Sequence, residues 1–270
     1  MRDIIKQVEE DVAGRRLRDQ LFAFAALADS PDPAELAREA SESIQAHPLS
    51  SLFGASHHDH EGKVIHRSAG GGFGEGDDEA IQRQIAQSES LRRKLASSGA
   101  IEVALHVIAQ EHFLSDDTFQ ALLSYSPFVP PDLLRTFSRG FARFFLGDFV
   151  SALYILTPLL ENSLRHILKA HGHDVTIFND ATQTQEDRTI SALFEQMRSE
   201  LDAVFGLAIT TDIENVFLKK GGPHLRHALS HGLLHDGTPH GDDAIYACWL
   251  IFHLCLRPLF PYRAQLELPY

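Results

Sequence analysis

The stretch Leu225-Arg226-His227-Ala228-Leu229-Ser230-His231-Gly232 places an arginine five positions before a histidine, in a segment that Pro223 can start as a helix. On an ideal helix, Arg226 and His231 lie about 140° apart, so they converge only if the long arginine side chain bends toward a shared groove. His227 and His231 are four residues apart and share a face. The alternative is that Arg226 and His231 pair with carboxylates on neighbouring helices.

Apolar periodicity predicts helices on both sides of this stretch, and the polar residues 172–187 form a long connection between two of them. We therefore predict that the C-terminal part is an all-helical bundle. The predicted helices lie near 131–146, 148–171, 189–206, 210–219, 223–236 and 241–258.

A second stretch, from Leu156 to His166, reads LTPLLENSLRH and contains a proline, an acid and an arginine in that order. Together the two stretches resemble the HEPN superfamily, whose R-x4-6-H signature usually has Asn, Asp or His after the arginine. Here that residue is His227. The stretch around Arg226 is also similar to an uncharacterised family marked RNxxxHG, with His227 in place of the asparagine. The resemblance covers roughly residues 130–260.

This resemblance implies a metal-independent endoribonuclease that acts as a homodimer with one composite cleft. It implies catalytic roles for Arg226 and His231, supported by His227, Glu161 and Arg165. Many relatives are toxins or effectors of stress response or phage defence, so a neutralising or sensor partner is also implied. The alternative is a non-catalytic HEPN-like module that binds nucleotide or RNA, or serves as a dimeric scaffold.

The residue types of the motif suit RNA cleavage by the ribose 2′-OH. This reaction needs a base, an acid for the leaving 5′-oxygen and positive charge on the phosphorane. His231 can exchange protons near neutral pH, and Arg226 can hold phosphate oxygens with paired donors. Glu161 and Arg165 share a helix face, so Glu161 either orients Arg226 or His231 or forms an ordinary intrahelical ion pair.

A basic track along the RNA backbone is predicted from lysines and arginines at helical spacing. The alternative is a solvated face, or ion pairs with Asp132 and Asp148. The residues proposed for the track are Arg135, Arg139, Arg143, Lys219 and Lys220, together with Arg165.

Four histidines, with Asp236 adjacent to the last, suggest a competing hypothesis, a metal site on one helical stripe. Nothing here matches a His-Glu-x-x-His zincin motif, and we predict neither a metal nor a cofactor. The four are His224, His227, His231 and His235.

The net charge of -13 excludes a surface that is basic all round, so a nucleic-acid site must be a local patch. Residues 1–130 hold nine of the thirteen excess negative charges, which favours the C-terminal part as the place for that patch. The sequence contains no long uncharged apolar run and no signal peptide, so we expect a cytoplasmic protein without a membrane span. Cys248 and Cys255 are expected to be reduced core thiols.

The N-terminal part is predicted to be mostly helical with a small hairpin, and the fold as a whole mainly α. The cluster Pro127-Phe128-Val129-Pro130-Pro131 is the predicted boundary between an N-terminal region, 1–130, of unknown role and a HEPN-like domain, 131–270. The predicted helices lie near 4–28, 34–46, 78–97, 99–111 and 115–124, and the hairpin strands at 51–54 and 63–67.

Two N-terminal motifs are interpreted as loops. Gly70-Gly71-Gly72-Phe73-Gly74-Glu75-Gly76 lacks the Lys-Ser/Thr of a P-loop, and the acids around it would repel phosphate. His57-His58-Asp59-His60 has no second His-Asp element to complete a phosphohydrolase site and is predicted to be a polar hairpin loop.

Overall fold

The computed structural model describes residues 2–47, 55–58, 64–68, 78–181 and 183–268. The fold is mainly helical, as predicted, and its strands form small antiparallel hairpins. Most of its helices bury one face against a shared core, which is how amphipathic helices gain most of their stability, while the last long helix, Asp242–Leu256, is buried on nearly all sides.

Three helices open the chain, where the sequence predicts two. A left-handed turn at Gly14, with φ of 69°, interrupts the first predicted helix. Asp32 caps the third helix by accepting a hydrogen bond from the Ala34 amide at 2.8 Å, with Pro33 at the first helical position. The helices are α1 (Arg2–Val12), α2 (Leu17–Ala25) and α3 (Pro33–Ala46).

A hairpin follows, formed by β1 (Ala55–His58) and β2 (Val64–Ser68), with a register irregularity between His57 and His58. The predicted second strand is confirmed. The first strand of the hairpin is Ala55–His58, and the strand predicted at 51–54 lies outside the described part of the chain, as do Asp59, His60 and the glycine-rich stretch 70–76. His57 and His58 belong to a strand, so the prediction of a loop is wrong for these two residues.

The next helices join end to end or through short caps. α4 (Asp78–Ala96) passes through a π-helical turn, Ser97–Ile101, into α5 (Glu102–Glu111). Ser115 and Thr118 form a capping box that starts α6 (Asp116–Leu123).

After a short 3-10 turn at Pro131–Leu133, α7 (Leu134–Phe145) and α8 (Phe149–Ala170) pack closely together. Gly140 permits this contact, since a Cβ there would lie 2.6 Å from Leu156 Cδ2. Asp148 caps α8 by accepting from the Ser151 amide at 3.1 Å.

The polar stretch predicted as a long connection contains a second hairpin, β3 (Thr176–Asn179) and β4 (Thr184–Asp187). Its strands are short and mostly exposed, so no alternation of apolar residues marks them in the sequence. Three helices follow: α9 (Ile190–Gln196), α10 (Arg198–Phe205) and α11 (Leu207–Phe217).

The chain ends with α12 (Leu225–Ser230), a 3-10 turn at Thr238–His240, α13 (Asp242–Leu256) and a 3-10 segment, Arg257–Gln265. Within the described residues, the helical stretch 242–265 is the one long and apolar enough to cross a membrane, but 72% of its apolar window is buried in the fold. Burial of this kind is typical of a core helix. Cys248 and Cys255 are free and buried here, as predicted.

A single hydrophobic core contains residues from both sides of the predicted boundary at 127–131. Aromatic rings join the two parts: the Phe24 ring centroid lies 4.8 Å from that of Phe145 and 5.5 Å from that of Phe252. Trp249 Nε1 donates to the carbonyl oxygen of Phe24 at 2.8 Å. The two parts therefore share a core, and a division into separate domains stays a prediction.

Candidate functional site

The motif helix α12 is shorter than the predicted 223–236. It ends before His231 because Gly232 adopts a left-handed conformation with φ of 64°. The Leu233 amide donates to Ala228 O at 2.8 Å and the Gly232 amide to Leu229 O at 3.2 Å, which is the Schellman pattern. His231 is therefore the capping residue of α12 and is exposed at its end.

Glu161 on α8 lies between two arginines. Its Oε2 is 3.5 Å from Arg226 Nη2 on α12, and its Oε1 accepts from Arg165 Nη1 at 2.8 Å. The Glu161 and Arg165 side chains are only 16% and 15% exposed, whereas Arg226 is 31% exposed. The predicted intrahelical pair and the predicted contact with Arg226 are thus both present at one carboxylate.

The second hairpin packs against the cluster formed by Glu161, Arg165 and Arg226, on the side of Arg165. Arg165 Nη1 also donates to the carbonyl oxygen of Arg188 at 2.9 Å, and Lys169 pairs with Asp187 at 3.1 Å. The hairpin thereby fixes Arg165 from a second direction, and Arg226 is left as the cluster's more accessible guanidinium.

The motif histidines lie side by side. The rings of His224 and His227 stack 4.6 Å apart, and that of His231 lies 4.4 Å from His227. Desolvation lowers the pKa of His227, and the charges of His231, Arg226 and Lys220 lower it further. Desolvation likewise lowers the pKa of His224, with a contribution from His227. Two imidazolium charges at this separation repel each other, so the neutral form of His227 is favoured.

The histidine stripe of the metal hypothesis is not one continuous helix. His224 precedes α12 with a left-handed backbone, φ of 49°, and His235 follows the end of the helix. In the described parts of the chain, no group of three or more His, Cys, Asp or Glu side chains is arranged to hold a metal ion.

The three arginines of α7 are exposed along one face, as their spacing predicts. Arg139 Nε pairs with Asp116 at 3.1 Å, and Arg143 lies 3.9 Å from Asp148. The expected Asp148 contact is present, whereas the contact with Asp116, on α6, was not predicted. Arg135 completes this face.

Lys219 and Lys220, predicted as part of the same track, line a cavity of about 650 Å³ beside α4. Lys219 Nζ donates to Gln82 Oε1 at 2.6 Å. Desolvation lowers the pKa of Lys219. Lys219 and Lys220 therefore line a cavity and are not part of the exposed arginine face of α7.

A buried charged network was missed at the sequence level. Arg92 donates through Nε and Nη2 to Glu89 at 2.9 Å each and through Nη2 to Asp212 at 3.2 Å. Asp212, fully buried, also accepts from Tyr246 at 2.7 Å and from Ser30 at 2.8 Å. The only sequence signal is the i, i+3 spacing of Glu89 and Arg92 and an acid within an apolar run.

Comparisons of the chain with protein-family models, with curated proteins and with solved structures found no match. The HEPN resemblance therefore rests on the residues of the two motif stretches alone.

Proposed function

We propose that this protein is a metal-independent endoribonuclease of HEPN type, which cleaves RNA by attack of the 2′-OH on the adjacent phosphate. The observation that carries the proposal is the Glu161 carboxylate, which contacts Arg226 on the motif helix and Arg165 on its own helix. A guanidinium fixed by a carboxylate can present its remaining N–H groups to a phosphate in a defined direction.

The roles follow from the chemistry of each side chain. Arg226 holds the nonbridging phosphate oxygens and stabilises the charge of the phosphorane. His231, exposed at the end of α12, exchanges the proton between the 2′-OH and the leaving 5′-oxygen. His227, whose pKa is lowered, supplies a neutral imidazole that can accept a proton. The products are a 2′,3′-cyclic phosphate and a 5′-hydroxyl end.

The proposal includes the homodimer that the resemblance implies and the α7 part of the RNA track that the arginine spacing predicts. A short helix with an exposed histidine at its end and an exposed Leu233 beyond it offers a surface on which a second copy could complete the cleft. The α7 arginines would hold the RNA backbone outside that cleft. A toxin, stress-response or phage-defence role, with a neutralising or sensor partner, belongs to the same proposal.

One observation favours the second candidate, a non-catalytic RNA-binding or scaffold module. Glu161 neutralises part of the charge that Arg226 would otherwise offer to phosphate, at a separation of 3.5 Å. A binding module tolerates this arrangement. An enzyme requires the remaining N–H donors of Arg226 to stabilise the charge of the phosphorane.

The test incubates purified protein with mixed cellular RNA in excess EDTA, beside Arg226→Ala and His231→Ala. Matched controls are Arg263→Ala and His106→Ala, which remove the same residue types from exposed positions outside the cluster. We expect the wild type and both controls to leave cyclic phosphate ends, and the two motif variants to leave RNA intact while remaining folded. RNA intact in every lane would favour the binding module.

A further inference from the structure

A cavity beside α4 lies outside the residues to which the proposed ribonuclease assigns catalysis. Its volume of about 650 Å³ falls within the range of small-molecule sites. One wall is the face of α4 from Asp78 to Arg93, and the other is the segment from Lys219 to Pro223. Asp243, at the start of α13, completes the lining.

The shape of the second wall depends on glycine. Gly221 has a φ of 90°, and a Cβ on Gly222 would lie 2.7 Å from the carbonyl oxygen of Asn215. The chain therefore turns tightly here, and this turn carries Lys219 and Lys220 at the edge of the cavity.

The charges deep in the cavity wall already compensate one another. The buried Arg93 pairs with Asp243 at 2.6 Å and lies 3.9 Å from the buried Glu89. A ligand would gain little from Arg93, because its charge is satisfied by two carboxylates.

Lys219 differs from Arg93 in this respect. Its ammonium donates to the neutral amide oxygen of Gln82, and the ion pairs found among the described residues do not include it. Glu214, the acid that acts on its charge, is held by Arg198 at 2.6 Å. A partly buried ammonium without a carboxylate partner gains free energy when an anion enters beside it.

We infer that this cavity binds a small anionic molecule whose carboxylate or phosphate group lies at Lys219 and Lys220. Asp78 and Glu79 lie on α4 within one turn of Gln82, the partner of Lys219, where they repel a second anionic group but can accept hydrogen bonds from hydroxyl or amino groups of the same ligand. The chemical class is therefore a polyhydroxylated or amino-bearing carboxylate or phosphate of metabolite size. The cavity adjoins the motif histidines through Lys220, whose charge lowers the pKa of His224 and His227, but its test does not depend on RNA cleavage.

The test measures binding by isothermal titration calorimetry with two probes: citrate, which carries carboxylate groups, and glycerol phosphate, which carries a phosphate group. Ionic strength is held constant with sodium chloride, since general charge screening would otherwise contribute. The full chain is compared with Lys219→Gln and with Lys94→Gln, a matched change on the exposed side of α4.

We expect at least one probe to bind with a Kd tighter than about 1 mM, and Lys219→Gln to weaken it about tenfold while Lys94→Gln leaves it unchanged. The probe that binds identifies the anion. The inference is overturned if neither probe binds in this range, or if both variants bind as the wild type does.

Discussion

Arg226 and Glu161, sixty-five residues apart, approach to 3.5 Å across the contact between α12 and α8. The pair joins the two stretches that carry the family resemblance, and it leaves the guanidinium partly exposed. Ion pairs at this exposure contribute little to the free energy of unfolding. We therefore expect Glu161 to act mainly by fixing the orientation of the Arg226 guanidinium.

Replacing Glu161 with Gln should therefore lower kcat for RNA cleavage about tenfold with little change in KM, because the fixed direction of Arg226 matters most at the phosphorane. Single-turnover and steady-state cleavage assays measure this split. Glu39→Gln, on the exposed face of α3, is the matched control. An unchanged kcat in a folded Glu161→Gln variant would reduce the pair to a structural contact.

The α7 arginines should determine how strongly RNA binding depends on salt. A combined Arg135→Gln, Arg139→Gln and Arg143→Gln variant should reduce the slope of log Kobs against log salt by about 2, since each lost phosphate contact on a single strand removes roughly 0.7. Filter binding across a salt series gives the slope. Lys6→Gln on α1 is expected to leave it unchanged, and an identical slope in the triple variant would exclude this face from RNA binding.

Gly140→Ala should destabilise the fold by about 1–3 kcal/mol, because its Cβ would lie 2.6 Å from Leu156 Cδ2 in the close contact of α7 and α8. Urea unfolding followed by fluorescence measures the free energy of unfolding. Thr136→Ala, on the exposed side of the same helix, should change it far less. Equal free energies of unfolding for the two variants would mean that α7 and α8 accommodate the added methyl group without loss of stability.

Stability should fall as pH is lowered below 6.5, in part because of His253. Burial lowers the pKa of this histidine, which packs against Trp249 and whose Nδ1 lies 2.8 Å from the carbonyl oxygen of Ala25. The unfolded chain then binds more protons than the folded one. The contribution is fully present above pH 6.5 and is lost as pH falls from 6.5 toward the folded pKa.

Urea unfolding at a series of pH values tests this dependence. The slope from His253 cannot exceed about 1.4 kcal/mol per pH unit, since a single proton is involved. His253→Gln should flatten the curve, whereas the exposed His106→Gln should leave it as in the wild type. If His253→Gln kept the wild-type slope of the free energy of unfolding against pH, the pH dependence would come from other titratable groups.

The local signals in the sequence were sufficient for most helices. Apolar spacing predicted the positions of α3, α7, α8 and α13 to within a few residues. Asp32 and Asp148 mark the starts of α3 and α8 as caps, whereas α13 is recognised by its apolar content, since it is buried on nearly all sides. The same signals failed at α12, where Gly232 was available as a stop signal but the histidine spacing favoured a longer helix. They also failed at the second hairpin, whose strands carry no apolar alternation.

The sequence by itself determined that the chain is mainly helical and that Arg226, His227 and His231 share one short segment, because spacing and capping act within a few residues. Only the tertiary structure decided their partners. The Glu161 contact spans 65 residues, the Arg92 contact with Asp212 spans 120, and the Lys219 contact with Gln82 spans 137. Contacts of this range are set by how the helices pack around one core, and spacing along the chain does not specify that packing.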